Sequence, residues 1–178
     1  MSISLIDQVL QPLYGKPCWN AKHGFASFLT FEFGQPHLEI REPIKDLKTK
    51  LSSVKRSLSK RNVFVHGEWH LWIYACNWKV LIDDAPIAYS SSSAERTQRA
   101  ADELNGQALR KVVIDVHSAK TTFCFDFGGR LETTPYDKIS EQWLLYEPSG
   151  NVFVLRADLT YAHLPADQPD DARSWHRL

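Results

Sequence analysis

The chain predicts an α+β fold: two duplicated units, each a helix followed by a largely antiparallel meander, related by a pseudo-two-fold, with a basic helix inserted in the first. Three observations carry this expectation. Phe31-Glu32-Phe33-Gly34 returns 94 positions later as Phe125-Asp126-Phe127-Gly128. Each block follows a helix-like stretch and a Leu-x-Gly stop, Leu13-Tyr14-Gly15 in the first half and Leu104-Asn105-Gly106 in the second. Downstream, Trp69, Asn77, Val80 and Leu81 match Trp143, Asn151, Val154 and Leu155 at a constant spacing of 74. The drop from 94 to 74 leaves about 20 extra residues in the first half, within 41–62. The expected organisation is a first unit over 1–89, a second over 90–164 and a polar mobile tail over 165–178, packed as one globule.

The elements follow in order. Ser4 to Gln11 is a short amphipathic helix, because Asp7 and Gln8 interrupt its apolar residues and no basic region precedes it, unlike a secretory signal. Leu29, Phe31 and Phe33 alternate as a strand facing inward, closed by the turn Gly34-Gln35-Pro36. From Ile44 to Arg61 the apolar residues Ile44, Leu47, Leu51, Val54 and Leu58 recur at spacings of 3 and 4, one narrow stripe on a helix of about 18 residues. Val63 to Val65 and Leu71 to Tyr74 read as strand, and Asp83-Asp84 as a strand-ending turn. Ser91-Ser92-Ser93 opens a second helix over Ala94 to Leu104, with Ser92 and Glu95 at capping-box spacing and Asn105-Gly106 as its stop. Phe123, Phe125 and Phe127 share one strand face, Gly128-Gly129 turns the chain, and Leu131 resumes it. Pro148-Ser149-Gly150-Asn151 joins the strands Trp143 to Tyr146 and Val152 to Arg156.

Charge locates the most unusual surface. The 178 residues hold 21 Lys plus Arg and 21 Asp plus Glu, which sums to zero. Ile44 to Arg61 alone carries Lys45, Lys48, Lys50, Lys55, Arg56, Lys60 and Arg61 against Asp46, a net +6, so −6 is spread over the rest. Such a face fits an acidic protein partner, since opposite charge speeds encounter and selects partner sign. Nucleic-acid phosphate is the alternative partner, although no base-reading motif accompanies the lysines. Trp72 falls on the opposite strand face from Trp69 and is a candidate contact anchor.

Chemistry-bearing motifs are sparse. His66-Gly67-Glu68-Trp69-His70 lacks the H-E-x-x-H order of zinc proteases. On one continuous strand, residues four apart stand roughly 13 Å from each other, so no metal site is expected there. Cys18, Cys76 and Cys124 are too far apart in sequence for a C-x-x-C and odd in number, which fits a reducing cytosol and no thiolate metal site. Glu32 and Asp126 hold equivalent places in the repeated motif, so a two-fold could pair them as the carboxylates of a hydrolase, a second alternative function. Phosphate-binding glycine loops and a G-x-S-x-G elbow are absent, and no catalytic residue or cofactor is expected. No apolar run approaches 18 residues, so no membrane span is expected.

Leu104-x-Gly106, Phe125-Asp126-Phe127-Gly128-Gly129-Arg130-Leu131, Glu141-x-Trp143-x-Leu145 and the Pro148-x-Gly150 turn together resemble small uncharacterised bacterial β-rich domains, some regarded as toxin-immunity proteins. The resemblance rests on structural rather than catalytic positions and carries over no functional residue, and the basic helix departs from it. With the charge distribution it gives the functional expectation: a cytosolic, immunity-like module that recognises an acidic protein partner through Lys48, Lys50, Lys55, Arg56, Lys60, Arg61 and Trp72.

Overall fold

The computed structural model describes residues 4–44 and 52–178. Among these residues the fold is mostly β, which corrects the expected α+β class. Fourteen strands form three antiparallel sheets, against three α-helices of six, seven and eleven residues: α1 (Leu5–Leu10), α2 (Ser52–Leu58) and α3 (Ala94–Leu104).

The first half supplies β1 (Cys18–His23), β2 (Leu29–Phe33), β3 (His37–Arg41), β4 (Asn62–His66), β5 (Trp69–Ile73), β6 (Cys76–Ile82) and β7 (Ala85–Tyr89). The second supplies β8 (Leu109–Ile114), β9 (Thr121–Phe125), β10 (Gly129–Pro135), β11 (Glu141–Tyr146), β12 (Asn151–Arg156), β13 (Thr160–Pro165) and β14 (His176–Arg177). One sheet runs β1-β2-β5-β11-β12-β13-β14, a second β7-β6-β10-β9-β8, and β3-β4 stand apart as a two-stranded ribbon.

The expected pair of helix-plus-meander units is therefore not built. Each half sends three strands into one sheet and then crosses, within a few residues, into the other. Leu71 pairs with Leu145 across the halves in the first sheet, and Val80 with Leu131 in the second. Strand alternation looks the same whichever sheet a strand joins, so the repeated pattern could not specify partners. Matching geometry persists where the halves meet. Beside the Pro17–Ala108 bridge, Cys18 N–H donates to Gln107 O at 2.9 Å and Leu109 N–H to Lys16 O at 3.0 Å, while Gly15 N–H to Leu109 O and Gly106 N–H to Cys18 O are both 2.7 Å. Cys18 faces Phe33 and Leu109 faces Phe125, so Phe33 rather than Phe31 takes the place of Phe125. Phe127 lies beyond the end of β9 and is 75% exposed, not inward.

The core fills the space between the two large sheets. Leu29, Phe31 and Phe33 of β2 meet Trp143 and Phe153 of the same sheet and Phe123 of the other, all at full burial. Trp143 stacks on Phe153 at 5.5 Å, meets Phe123 edge-on at 5.7 Å, and donates its Nε1–H to Thr121 Oγ1 at 3.1 Å. The first sheet is also covered on its outer face, where Leu144, Val152 and Val154 pack with Trp72, Tyr74 and Trp175. This explains the unbroken apolar runs Trp143-Leu144-Leu145 and Val152 to Leu155, which a one-sided sheet would alternate. Helix ends follow local chemistry: Ser4 Oγ caps α1, and Ser93, one residue beyond the expected cap, accepts from Arg96 N–H to cap α3.

One further expectation meets a different arrangement. The basic helix over Ile44 to Arg61 is, within the described residues, the single short helix α2; Lys48 and Lys50 lie outside the described residues. Of its stripe, Leu47 and Leu51 lie outside the described residues, and Ile44 and Val54 are both exposed rather than packed on a core. The segment over 165–178 contributes β14, which pairs with β13, and Trp175, over whose ring the Arg156 guanidinium sits at 4.5 Å. Among the described residues, no helix is long and apolar enough to cross a membrane.

Candidate functional site

Two features converge where the β3–β4 ribbon leaves the first sheet. The ribbon and α2 form an arm, and a cleft lies at the arm's root.

The arm owes its form to alternation without a partner sheet. Leu38, Ile40, Val63, Phe64 and Val65 carry strand-forming side chains, yet all are exposed, from 39% for Phe64 to 65% for Leu38. An isolated two-stranded ribbon is marginal in water, and four of these side chains, Leu38, Ile40, Val63 and Val65, lie in cross-strand pairs along it. Local contacts brace it. Ile44 N–H donates to Leu58 O at 2.9 Å, Arg61 Nε donates to both Glu42 oxygens at 2.9 and 3.1 Å, and the Arg41 guanidinium lies 5.0 Å from the Phe64 ring centre. Lys55 and Arg56 project from α2, with Lys60 and Arg61 following it, all exposed.

The cleft, about 880 Å³, opens between the arm root, the outer face of the first sheet and the β11–β12 turn. Its floor is a row across the strands in which Glu32 of β2 faces His70 of β5, and His70 faces Tyr146 of β11. Glu32 is only 3% exposed, although a position between two inward phenylalanines reads as solvent-facing. His66, at the end of β4, hangs over the row. Its Nδ1 lies 3.0 Å from Glu32 Oε1, and His70 Nδ1 lies 2.8 Å from the same oxygen. Gly67 N–H donates to Glu32 Oε2 at 2.9 Å. His66 Nε2 lies 3.3 Å from Glu39 Oε2 on the arm. Burial acts first to raise the Glu32 carboxyl, but the hydrogen bond and charge of His70, the Gly67 amide and His66 outweigh it, and the group sits below its ordinary value. Ligand-capable atoms of Glu32, His66 and His70 all lie within 4.8 Å of one another, an N2O donor set that could hold a metal ion.

Sequence spacing alone misses this cluster because it treats His66 to His70 as one straight strand. The chain instead turns at Gly67-Glu68 between β4 and β5. A Cβ on Gly67 would stand 2.4 Å from Phe33 O and 2.8 Å from Phe33 N, so only glycine lets the turn press against β2. The glycine between two histidines is the signal that could have found it.

Of the expected partner-binding residues that are described, Lys55, Arg56, Lys60 and Arg61 come together on the arm. Trp72 does not join them. It lies on β5, half-buried, lines the cleft and packs edge-on against Phe28 at 5.9 Å and Tyr74 at 5.0 Å. Asp126 stands apart from Glu32. Its Oδ1 accepts from the Ala108 and Phe127 amides at 2.8 and 3.1 Å, and its Oδ2 lies 3.5 Å from Arg110, so it serves the β8–β9 end of the second sheet. Cys18 and Cys76 are buried thiols pushed up to about 12 by burial, and each points its Sγ at a backbone carbonyl, Leu104 O and Gln142 O. No protein-family model, curated protein or solved structure matches this chain.

Proposed function

We propose that the chain is a non-enzymatic binding module that recognises an acidic protein partner through the β3–α2–β4 arm, in the manner of an immunity protein acting in a reducing cytosol. The observation that carries this reading is the arm itself. It stands outside both large sheets, carries exposed Lys55, Arg56, Lys60 and Arg61 on and just after α2, and exposes Leu38, Ile40, Val63 and Val65 on the ribbon. Apolar side chains need apolar cover, and cations around them favour a partner patch of opposite sign.

Nucleic acid is the weaker reading on the same residues. Base stacking needs open aromatic faces, and Phe64, the aromatic ring of the ribbon, is already covered by Arg41. A hydrolase built on Glu32 and Asp126 draws no support, because the two carboxylates serve different sheets and different partners.

The test is affinity capture with the full chain and with Lys55→Glu, Arg56→Glu and Lys60→Glu combined. The expected result is an acidic protein held by the wild type, released as salt rises and not retained by the variant. Capture that the charge reversal leaves unchanged removes the arm from recognition.

A further inference from the structure

We propose that Glu32, His66 and His70 form a binding site for a borderline divalent cation of the zinc class, and that the bound ion ties the root of the arm to the first sheet. The proposal is independent of the arm's partner.

Geometry carries the argument. Two imidazole Nδ1 atoms stand 3.0 and 2.8 Å from one carboxylate oxygen, and all three donors lie within 4.8 Å of one another. Donors around a tetrahedral ion with bonds of about 2.0–2.1 Å stand roughly 3.3 Å apart, so each carboxylate–imidazole separation needs to open by only a few tenths of an ångström, and the two imidazole nitrogens draw together from within 4.8 Å. The donor set, two imidazoles and one carboxylate, suits zinc and its neighbours rather than calcium or magnesium, which prefer all-oxygen shells. Among the described residues this is the cluster of three such side chains whose ligand atoms converge.

Second contacts are placed as metal sites place them. Glu32 Oε2 is held by the Gly67 amide, which leaves Oε1 toward the histidines. His66 offers its other nitrogen to Glu39 at 3.3 Å, a carboxylate–histidine pairing that fixes ring orientation and raises ligand basicity. The three ligands are anchored on β2, β4 and β5, and the cleft beside them leaves room for a fourth ligand from solvent or a small molecule. His66 is the last residue of β4, whereas Glu32 and His70 belong to the sheet. An ion held by all three therefore strengthens the tie between the arm and the body of the molecule that the His66–Glu32 contact already makes.

The experiment is calorimetric titration of Zn2+ into the chelator-stripped full chain, beside His66→Ala, His70→Ala and, as control, His163→Ala, whose imidazole pairs instead with Glu147 at 2.6 Å. One ion per chain is expected, with each of the first two variants binding about 100-fold more weakly or worse and the control unchanged. Co2+ in place of Zn2+ is expected to give a four-coordinate visible spectrum that both variants lose. Imidazole NMR signals of the wild type, followed during the same titration, report the site without any substitution: those of His66 and His70 should move together. Absence of Zn2+ binding, ring signals of other histidines moving instead, or ligand variants that bind like wild type would each overturn the site.

Discussion

Gly67 holds two histidines over one carboxylate because nothing larger fits against the Phe33 backbone. Gly67→Ala is expected to destabilise the fold by about 1–3 kcal/mol, as overpacking does; chemical denaturation checks the loss. Glu32 has a pH signature with a definite sign. Its carboxyl lies below the ordinary 4.5, so its contribution is present above that value and is lost as pH falls through the lower folded value. Urea unfolding from pH 6 down to pH 3 should show that loss, and Glu32→Gln should flatten it. Cys18 and Cys76, both buried and pushed up to about 12, are expected to resist a thiol reagent until the protein unfolds, while half-exposed Cys124 reacts first. Little of this is legible from residue types. Glu32 reads as a solvent-facing strand residue because alternation cannot report that a turn two strands away folds back over it. Asp126, its match in the sequence motif but not in the structure, spends its carboxylate on the Ala108 and Phe127 amides instead.

At the scale of elements, the arm is the feature whose place the sequence reveals by charge and whose form it conceals. Its basic residues are legible because a net +6 in 18 positions is unmistakable. Its structure is not, because a 3-and-4 spacing of apolar residues predicts burial against something, and Ile44 and Val54 have no core beneath them. The ribbon around α2 has the alternation of a meander, yet among the described residues β3 and β4 pair only with each other. An arm so detached should be dispensable to stability. Replacing residues 40–63 with an Asn-Gly turn is expected to leave a cooperative thermal transition within a few degrees of wild type, about the effect of 1 kcal/mol or less. A collapse of the transition would mean that the arm is structural. The helices α1 and α3 and the turns at Gly34, Gly128 and Pro148 are legible, since capping and turn chemistry act within a few residues and need no distant partner.

The whole molecule is held together by exchange of strands between its halves. β5 pairs with β11 and β6 with β10, so neither half closes a sheet without the other. Residues 1–89 expressed alone are therefore expected to show no cooperative unfolding by circular dichroism, whereas two autonomous units would predict the reverse. Trp143 sits at the centre of this interlock, and Trp143→Ala is expected to cost about 3–5 kcal/mol. The repeated motifs point to two related halves but cannot say which strands pair, because pairing depends on which apolar faces meet after collapse rather than on any local signal. The exchange also leaves the arm as the apolar surface without a place in either sheet, and the proposed function rests there.

A photo-reactive side chain in place of Val63, exposed on the arm, tests that function most directly when compared with one in place of Val113, exposed on β8 of the second sheet. The arm position should yield a covalent adduct with an acidic protein that the Lys55, Arg56 and Lys60 charge reversal abolishes, and the β8 position none. Adducts that form from β8 and not from the arm, or that survive the reversal, would contradict recognition through the arm.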